Sequence, residues 1–149
     1  MKGVLVLTPE VKLVRSLPGA GFILATVIAL EVGDVRRFPR PAHLASYAGT
    51  VPMVQQSGDK VWHGKTQEDV NRYLKWAYAE AANALARHAQ KNPHRHVRCL
   101  YLRIQERKGR QKAVGAVSRH LAEATWWVLV TQQPYREPMY RSRGGVMEA

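Results

Sequence analysis

From Val70 to Leu85 apolar side chains return every third or fourth residue: Val70, Tyr73, Leu74, Ala77, Tyr78, Ala81 and Leu85 fall on one face of a helix. Thr66 and Asp69 just ahead have the spacing of a capping box and predict where the helix starts. Such a stripe cannot be buried alone, so the rest of the chain must supply helices to cover it. A second run, Gln111 to Thr131, supplies one, with Val114, Val117, Leu121, Ala124 and Val128 at steps of three and four. Asn92-Pro93 opens another, carrying Val97, Leu100, Tyr101 and Ile104 up to Gly109. The fold class expected is therefore mainly α, with residues 66–131 as a helical bundle.

The first fifty residues repeat the recipe at smaller scale. Thr8 is placed as N-cap and Pro9 as first helical residue, with Val11, Val14 and Leu17 at helical spacing. Pro18-Gly19-Ala20-Gly21 interrupts, and Ile23, Leu24, Val27, Ile28 and Leu30 then run to a stop at Gly33. Pro41 to Gly49 reads as a third short helix. Residues 8–49 thus form a helix-hairpin-helix-like unit. Two readings of its LPGAG turn stay open: backbone N–H groups offered to a phosphate at Gly19 and Gly21, or an ordinary tight turn between helices. Across 51–65 the helical period disappears, and VPMVQQ and KVW around Gly58-Asp59 predict a small β-hairpin. The domain is expected to occupy 8–133. Past it, residues 134–149 lack an apolar period and are expected to form a flexible tail.

Charge narrows the partner. The chain of 149 residues carries a formal net charge of +12, which favours a polyanion, because clustered Lys and Arg release counterions when they neutralise phosphates. Nine of those cations lie between residues 87 and 112 (Arg87, Lys91, Arg95, Arg98, Arg103, Arg107, Lys108, Arg110 and Lys112), against the single acid Glu106. As a merely solvated face that density repels itself; as a nucleic-acid surface it does not. His88, His94 and His96 would add protonatable contacts, and without carboxylate or thiolate company they are not read as a metal site. Of the tryptophans, Trp126 and Trp127 sit in an apolar helix where at least one belongs to the core, while Trp62 on the hairpin is the more exposed aromatic. One cysteine, Cys99, excludes an internal disulfide and fits a reducing compartment. No apolar run reaches the ~20 residues of a membrane helix and no signal-peptide pattern follows Met1. A cytoplasmic chain with no membrane partner is expected.

Ser57 is one of only five serines. Ser-Gly is common turn chemistry, so the residue could simply shape the hairpin. The other reading is a nucleophile, which at neutral pH requires a base or positive charge nearby to stabilise developing anions. Lys60, His63, Lys65 and Arg72 are the nearest such groups in sequence.

Taken in order, LPGAGFILATVIALEVGDVRRFPRPAHLASYAGTVPMVQQSGDK, then HGKT, NRYLKWA and KGRQKAVGAVSRHLAEATWWVL resemble the C-terminal transposase domain of the DEDD-type insertion-sequence transposases, the insertion sequence one-ten, one-sixteen and nine-oh-two group. The resemblance runs over about residues 10 to 136 and rests on the series of landmarks: PGxG, EVGDVRRF, YAG, the segment from Pro52 to Ser57-Gly58, and NRYL. It implies DNA recombination by a serine that attacks a DNA phosphate, which here is Ser57, in paired subunits assisted by a structured guide RNA. It also implies that the LPGAG unit and residues 87–112 face nucleic acid. Gln67, Glu68, Asp69 and Val70 stand where the group usually has a basic stretch and a glycine. The group's resolvase-like domain with four metal-binding carboxylates has no counterpart ahead of Met1. A truncated or separately translated C-terminal half is therefore expected, with no cofactor of its own and a divalent metal only in the absent domain. Its expected partners are DNA, the guide RNA, and another copy or a full-length transposase. The alternatives are a non-catalytic nucleic-acid-binding remnant or regulator, and a basic helical domain that docks on protein through its last helix.

Overall fold

The computed structural model describes residues 8–57, 60–66 and 70–138, with the backbone path alone for 53–57 and 60–66. Six α-helices and one two-stranded antiparallel sheet follow each other: α1 (Pro9–Arg15), α2 (Phe22–Val32), α3 (Pro41–Tyr47), β1 (Pro52–Ser57), β2 (Lys60–Thr66), α4 (Arg72–Arg87), α5 (Arg95–Lys108) and α6 (Arg110–Thr131). Single 3-10 turns stand at Val35–Arg37 and Ala89–Lys91. The mainly helical class and the hairpin match the sequence expectation.

The longest helix, α6, is the platform. It packs against α1, α3, α4 and α5. Burial along it explains why: Ala113, Val117, Ser118, Leu121, Ala122, Ala124, Thr125, Val128 and Leu129 cover far more than one narrow stripe, so α6 faces several neighbours at once. Two of those residues are polar, and both are satisfied inside. The Ser118 hydroxyl donates to the Val114 carbonyl at 3.0 Å. That of Thr125 donates to the Leu121 carbonyl at 2.8 Å while accepting from the Tyr78 hydroxyl at 2.9 Å. Tyr78 is fully buried on α4, and burial raises its phenol pKa well above the ordinary value. This buried hydroxyl contact fixes the α4–α6 register more narrowly than apolar contact, since a slip would strand the Tyr78 hydroxyl.

The first two helices meet as expected. Thr8 caps α1, its Oγ1 accepting from the Val11 amide at 3.3 Å. Gly19 then makes the turn with φ +76°, and a Cβ there would lie 2.6 Å from the Ala81 carbonyl oxygen and 3.0 Å from Leu85 Cγ on α4. Its lack of a side chain is therefore required by helix packing. Gly21, by contrast, is the exposed N-cap of α2 and has no heavy atom within 4 Å of its would-be Cβ.

Three expectations are corrected. On α2 the buried residues are Ala25, Ile28 and Val32, whereas Ile23 and Leu30, read as part of the core stripe, are 71% and 75% exposed. The helix is apolar all round, so period alone could not select its inner face. The cap of α4 is Asn71, whose Oδ1 accepts from the Leu74 amide at 3.0 Å; Thr66 is the last residue of β2, and Asp69 lies outside the described residues. Tyr73, also assigned to the inner face, is exposed. Third, residues 134–138 have no regular structure but are docked. The Tyr135 amide donates to Ser16 Oγ at 2.8 Å, and Glu137 Oε2 accepts from the His96 amide at 2.8 Å. Here a few specific polar contacts replace the apolar period that the sequence lacks. The rest of the expected tail, 139–149, and the Gly58-Asp59 turn lie outside the described residues.

Gly19→Ala should therefore lower stability by about 2 kcal/mol or more, from the positive φ and the clash with Ala81. Gly21→Ala, with free space and only a weaker cap, should cost less than about 1 kcal/mol. Urea unfolding of the two variants against the parent chain checks the contrast.

Candidate functional site

The hairpin leaves the helical body at Thr50 and returns at Asn71, and both exits are tied. Thr50 closes α3, its amide and Oγ1 both donating to the Ala45 carbonyl, at 3.0 and 2.8 Å. Gly49 adopts φ +69°, and a Cβ there would press within 2.9 Å of Val70 Cγ2, so the outgoing and returning chains touch. The Asn71 amide donates to the Tyr47 carbonyl at 2.8 Å. Its side chain donates again, to Glu31 Oε2 at 2.7 Å and to the Tyr47 hydroxyl at 3.2 Å. Arg37 completes the clamp. Its guanidinium bonds the carbonyls of Val32 at 3.0 Å and Glu31 at 2.9 Å, and lies over the rings of Phe38 at 4.6 Å and Tyr47 at 4.8 Å. The hydrogen bond from Asn71, then Arg37, holds the Tyr47 phenol below its ordinary pKa. Sequence reasoning did not single out Glu31, Arg37, Tyr47 or Asn71. The available signal was that all four stand inside the EVGDVRRF, YAG and NRYL landmarks, but residues so far apart in sequence declare a cluster only once folded.

Strand pairing places the candidate serine. Ser57 is the last residue of β1 and pairs with Lys60, the first of β2; Gln56 pairs with Val61, Gln55 with Trp62 and Val54 with His63. Below that the register shifts, since Pro52 pairs with Thr66, which puts Gly64 and Lys65 opposite Met53 as a bulge. Alternation along paired strands sets Ser57, Lys60, Gln55 and Trp62 on one face and His63 on the other. Of the four charge-support candidates, Lys60 is thus the one that shares both register and face with Ser57. Lys65 lies in the bulge, down the hairpin. Arg72 is exposed as the first residue of α4, beyond the hairpin base, while Ser57 stands at the tip, five strand steps or roughly 17 Å further along.

The nine basic residues are brought out rather than in. Arg87 ends α4 and Lys91 lies in the following 3-10 turn; Arg95, Arg103, Arg107 and Lys108 are exposed along α5, and Arg110 and Lys112 on the first turn of α6. Val97 and Tyr101 bury the opposite side of α5. Arg98 is partly buried and donates to the Asn92 carbonyl at 3.2 Å. Gly19, as shown above, faces α4, and Gly21 is exposed.

His94 and His96 do not join this surface as free contacts. His94 Nδ1 sits 3.3 Å from Glu137 Oε1. The His96 ring packs on His120 at 4.6 Å, and His120 Nε2 is 3.0 Å from the Tyr135 hydroxyl. Burial, and secondarily His96, lowers the His120 pKa to about 4; burial also lowers that of His96, with Glu137 opposing and Arg103 assisting. Among the described residues no group of three or more His, Cys, Asp or Glu is arranged to hold a metal ion, and no helix is long and apolar enough to cross a membrane.

A mainly helical domain with a clamped hairpin and an outward basic helix is the class that emerges, and comparison with known sequences gives the family. The model described as Transposase IS116/IS110/IS902 family matches residues 11–98, more than half of the chain, and the chain belongs to that family. It is similar to the transposase for insertion sequence element IS1111A of Coxiella burnetii, 29% identical over 137 residues, covering 91% of this chain and 37% of that protein. It is similar also to the insertion element IS110 uncharacterized 43.6 kDa protein of Streptomyces coelicolor, 41% identical over 69 residues, 46% of this chain and 17% of that protein. The insertion element IS116 uncharacterized 44.8 kDa protein of Streptomyces clavuligerus is 31% identical over 77 residues, 51% of this chain and 19% of that protein. The chain spans less than two fifths of the length of these relatives.

Two outcomes test the geometry. Asn71→Ala should cost about 1–2 kcal/mol through the lost cap. Asn71→Asp keeps the cap but sets a carboxylate against Glu31, so it should cost nearly as much; wild-type stability of that variant in urea unfolding would mean the Glu31 tie carries nothing. For pH, His120 is depressed in the fold from 6.5 to about 4, so its contribution is fully present above pH 6.5. It is lost as pH falls from 6.5 towards 4, because the unfolded chain takes up a proton the fold resists. The loss should be on the order of 3 kcal/mol, and His120→Phe should flatten that part of the stability profile.

Proposed function

We propose that this chain acts in DNA transposition as a nucleic-acid-binding domain of an insertion-sequence transposase, with Ser57 as its nucleophile. Membership of the transposase family carries the reading, since the matched residues include the hairpin that bears Ser57. The exposed cations of α5 and its neighbours support a phosphate-facing surface. In this scheme Ser57 Oγ attacks a backbone phosphorus, a serine–phosphate ester forms, and the bond from phosphorus to one deoxyribose oxygen breaks. That oxygen leaves with a proton as a hydroxyl. A hydroxyl from another strand then attacks the ester, restoring a phosphodiester and returning the proton to serine. Bonds are exchanged one for one, so no external energy source is required. Lys60, as register partner on the same face, is the first choice to steady the developing charge; His63, Lys65 and Arg72 would require the DNA, a second copy or a guide RNA to bring charge to the hairpin tip.

A second reading, a nucleic-acid-binding remnant or regulator without catalysis, is favoured by one observation: of the four expected cations, Lys60 is the one paired in register with Ser57. Incubating the purified chain with supercoiled or nicked DNA, denaturing, and looking for a covalent adduct separates the two. The nucleophile reading expects an adduct that Ser57→Ala abolishes; its absence alongside retained DNA binding selects the remnant. Both expect log affinity to fall steeply with log salt, with a slope beyond about −3 for several phosphates neutralised. A slope near zero would instead favour docking on a protein.

A further inference from the structure

A cavity of about 480 Å³ opens between α6 and the segment that follows it. Its floor is one face of α6, where His120, Glu123, Trp127 and Thr131 succeed each other at helical spacing; its wall is the extended stretch with Tyr135 and Arg136. The wall is held in place. Tyr135 is bonded to Ser16 through its amide and to His120 through its hydroxyl, and Glu137 is bonded to the His96 amide. The volume falls within the range of small-molecule sites.

Trp127 is what makes this opening unusual. It is 56% exposed, although α6 buries residues on several sides. Its ring is set edge-on against Trp126 at 5.0 Å and 88°, and Trp126 is itself fixed by a 2.8 Å bond from Nε1 to the Phe38 carbonyl. A large aromatic face is thereby steadied in water, at the mouth of a slot. Around it stand an exposed cation, Arg136, and the carboxylate of Glu123, which Arg119 balances at 3.1 Å. A wholly apolar guest would make no use of the Arg136 cation at the rim or of the remaining acceptor sites on Glu123. A nucleobase suits all three features, offering a flat π face to the indole, N–H donors on its edge to a carboxylate, and a phosphate to a cation at the rim.

We infer that this slot receives one unpaired nucleobase of a DNA or RNA strand, stacked on Trp127 with its phosphate on Arg136. The inference rests on the nucleic-acid reading above and adds a site that discriminates strand state. A paired base is already stacked on both faces and cannot enter.

The test uses the full chain, a fluorescent 12-nucleotide single strand of mixed sequence and the matching blunt duplex, titrated at several salt concentrations. Trp127→Ala should weaken single-strand binding about tenfold, the effect of one lost stack, with duplex binding changed less than about twofold. Trp127→Phe should keep most of the affinity, and Trp76→Ala, a partly exposed tryptophan on α4, should have no effect. Thr131→Phe narrows the slot from the exposed end of α6 and should repeat the loss if Trp127→Ala impairs folding. Equal losses on strand and duplex, or none on either while wild-type binding stays salt-sensitive, overturn the slot and leave the nucleic-acid reading standing. If the wild-type chain shows no salt-sensitive binding to either probe, both fail.

Discussion

The contact on which the other helices depend is the buried hydroxyl pair between Tyr78 and Thr125, at 2.9 Å in the middle of the α4–α6 interface. Apolar surfaces between helices tolerate small slides, because each lost contact is replaced by a similar one. A buried phenol does not, since an unsatisfied hydroxyl costs on the order of 1–3 kcal/mol. With α4 fixed against α6, α2 has a set surface to pack on, and Gly19 must pass within reach of Ala81. The closeness of α2 to the body thus follows from α4, and that of α1, α3 and α5 from α6.

The hairpin joins the helical body through polar contacts at both ends. Its exits are held by the polar clamp of Glu31, Arg37, Tyr47 and Asn71, drawn from α2, the 3-10 turn, α3 and the start of α4. A two-stranded ribbon is marginal by itself, so what positions Ser57 is the direction in which those exits launch it. Strands place neighbours by register, and five steps separate the base of the hairpin, next to which Arg72 begins α4, from Ser57.

Much of this was legible in the sequence, and the misses share a cause. Helices with polar residues on one side, such as α4, declared their ends and most of their core, because period separates faces only when the faces differ. Tyr73 and Val70 were drawn inward by that rule; Tyr73 flanks the stripe and is exposed. In α2, where Ile23 and Leu30 resemble Ile28 in everything but position, period held no information about the inner face. The cap at Asn71 was masked by the equally plausible Thr66 and Asp69, and only the length of β2 decides between them. Docking of residues 134–138 was not legible at all, since it depends on Ser16, His96 and His120 from three other parts of the chain. For the candidate site, Ser57 and Lys60 could be paired from the turn, whereas separating His63 from them required the register.

Burial of the histidines also bears on how the basic surface works. His96 and His120 are turned into a packed cluster with Tyr135, and burial favours their neutral forms. They therefore add no charge to the basic face near neutral pH, even though His96 is next to Arg95 in sequence. The excess of 23 Lys and Arg over 11 Asp and Glu consists of groups that stay ionised across the physiological range. Attraction to a polyanion from such a surface varies with ionic strength, through counterion release, far more than with pH. Acid acts on the other side of the ledger, by charging the cluster that holds residues 134–138 in place. The permanent cations and the titrating histidines are thus different residues, although His96 shares α5 with Arg95, Arg103, Arg107 and Lys108.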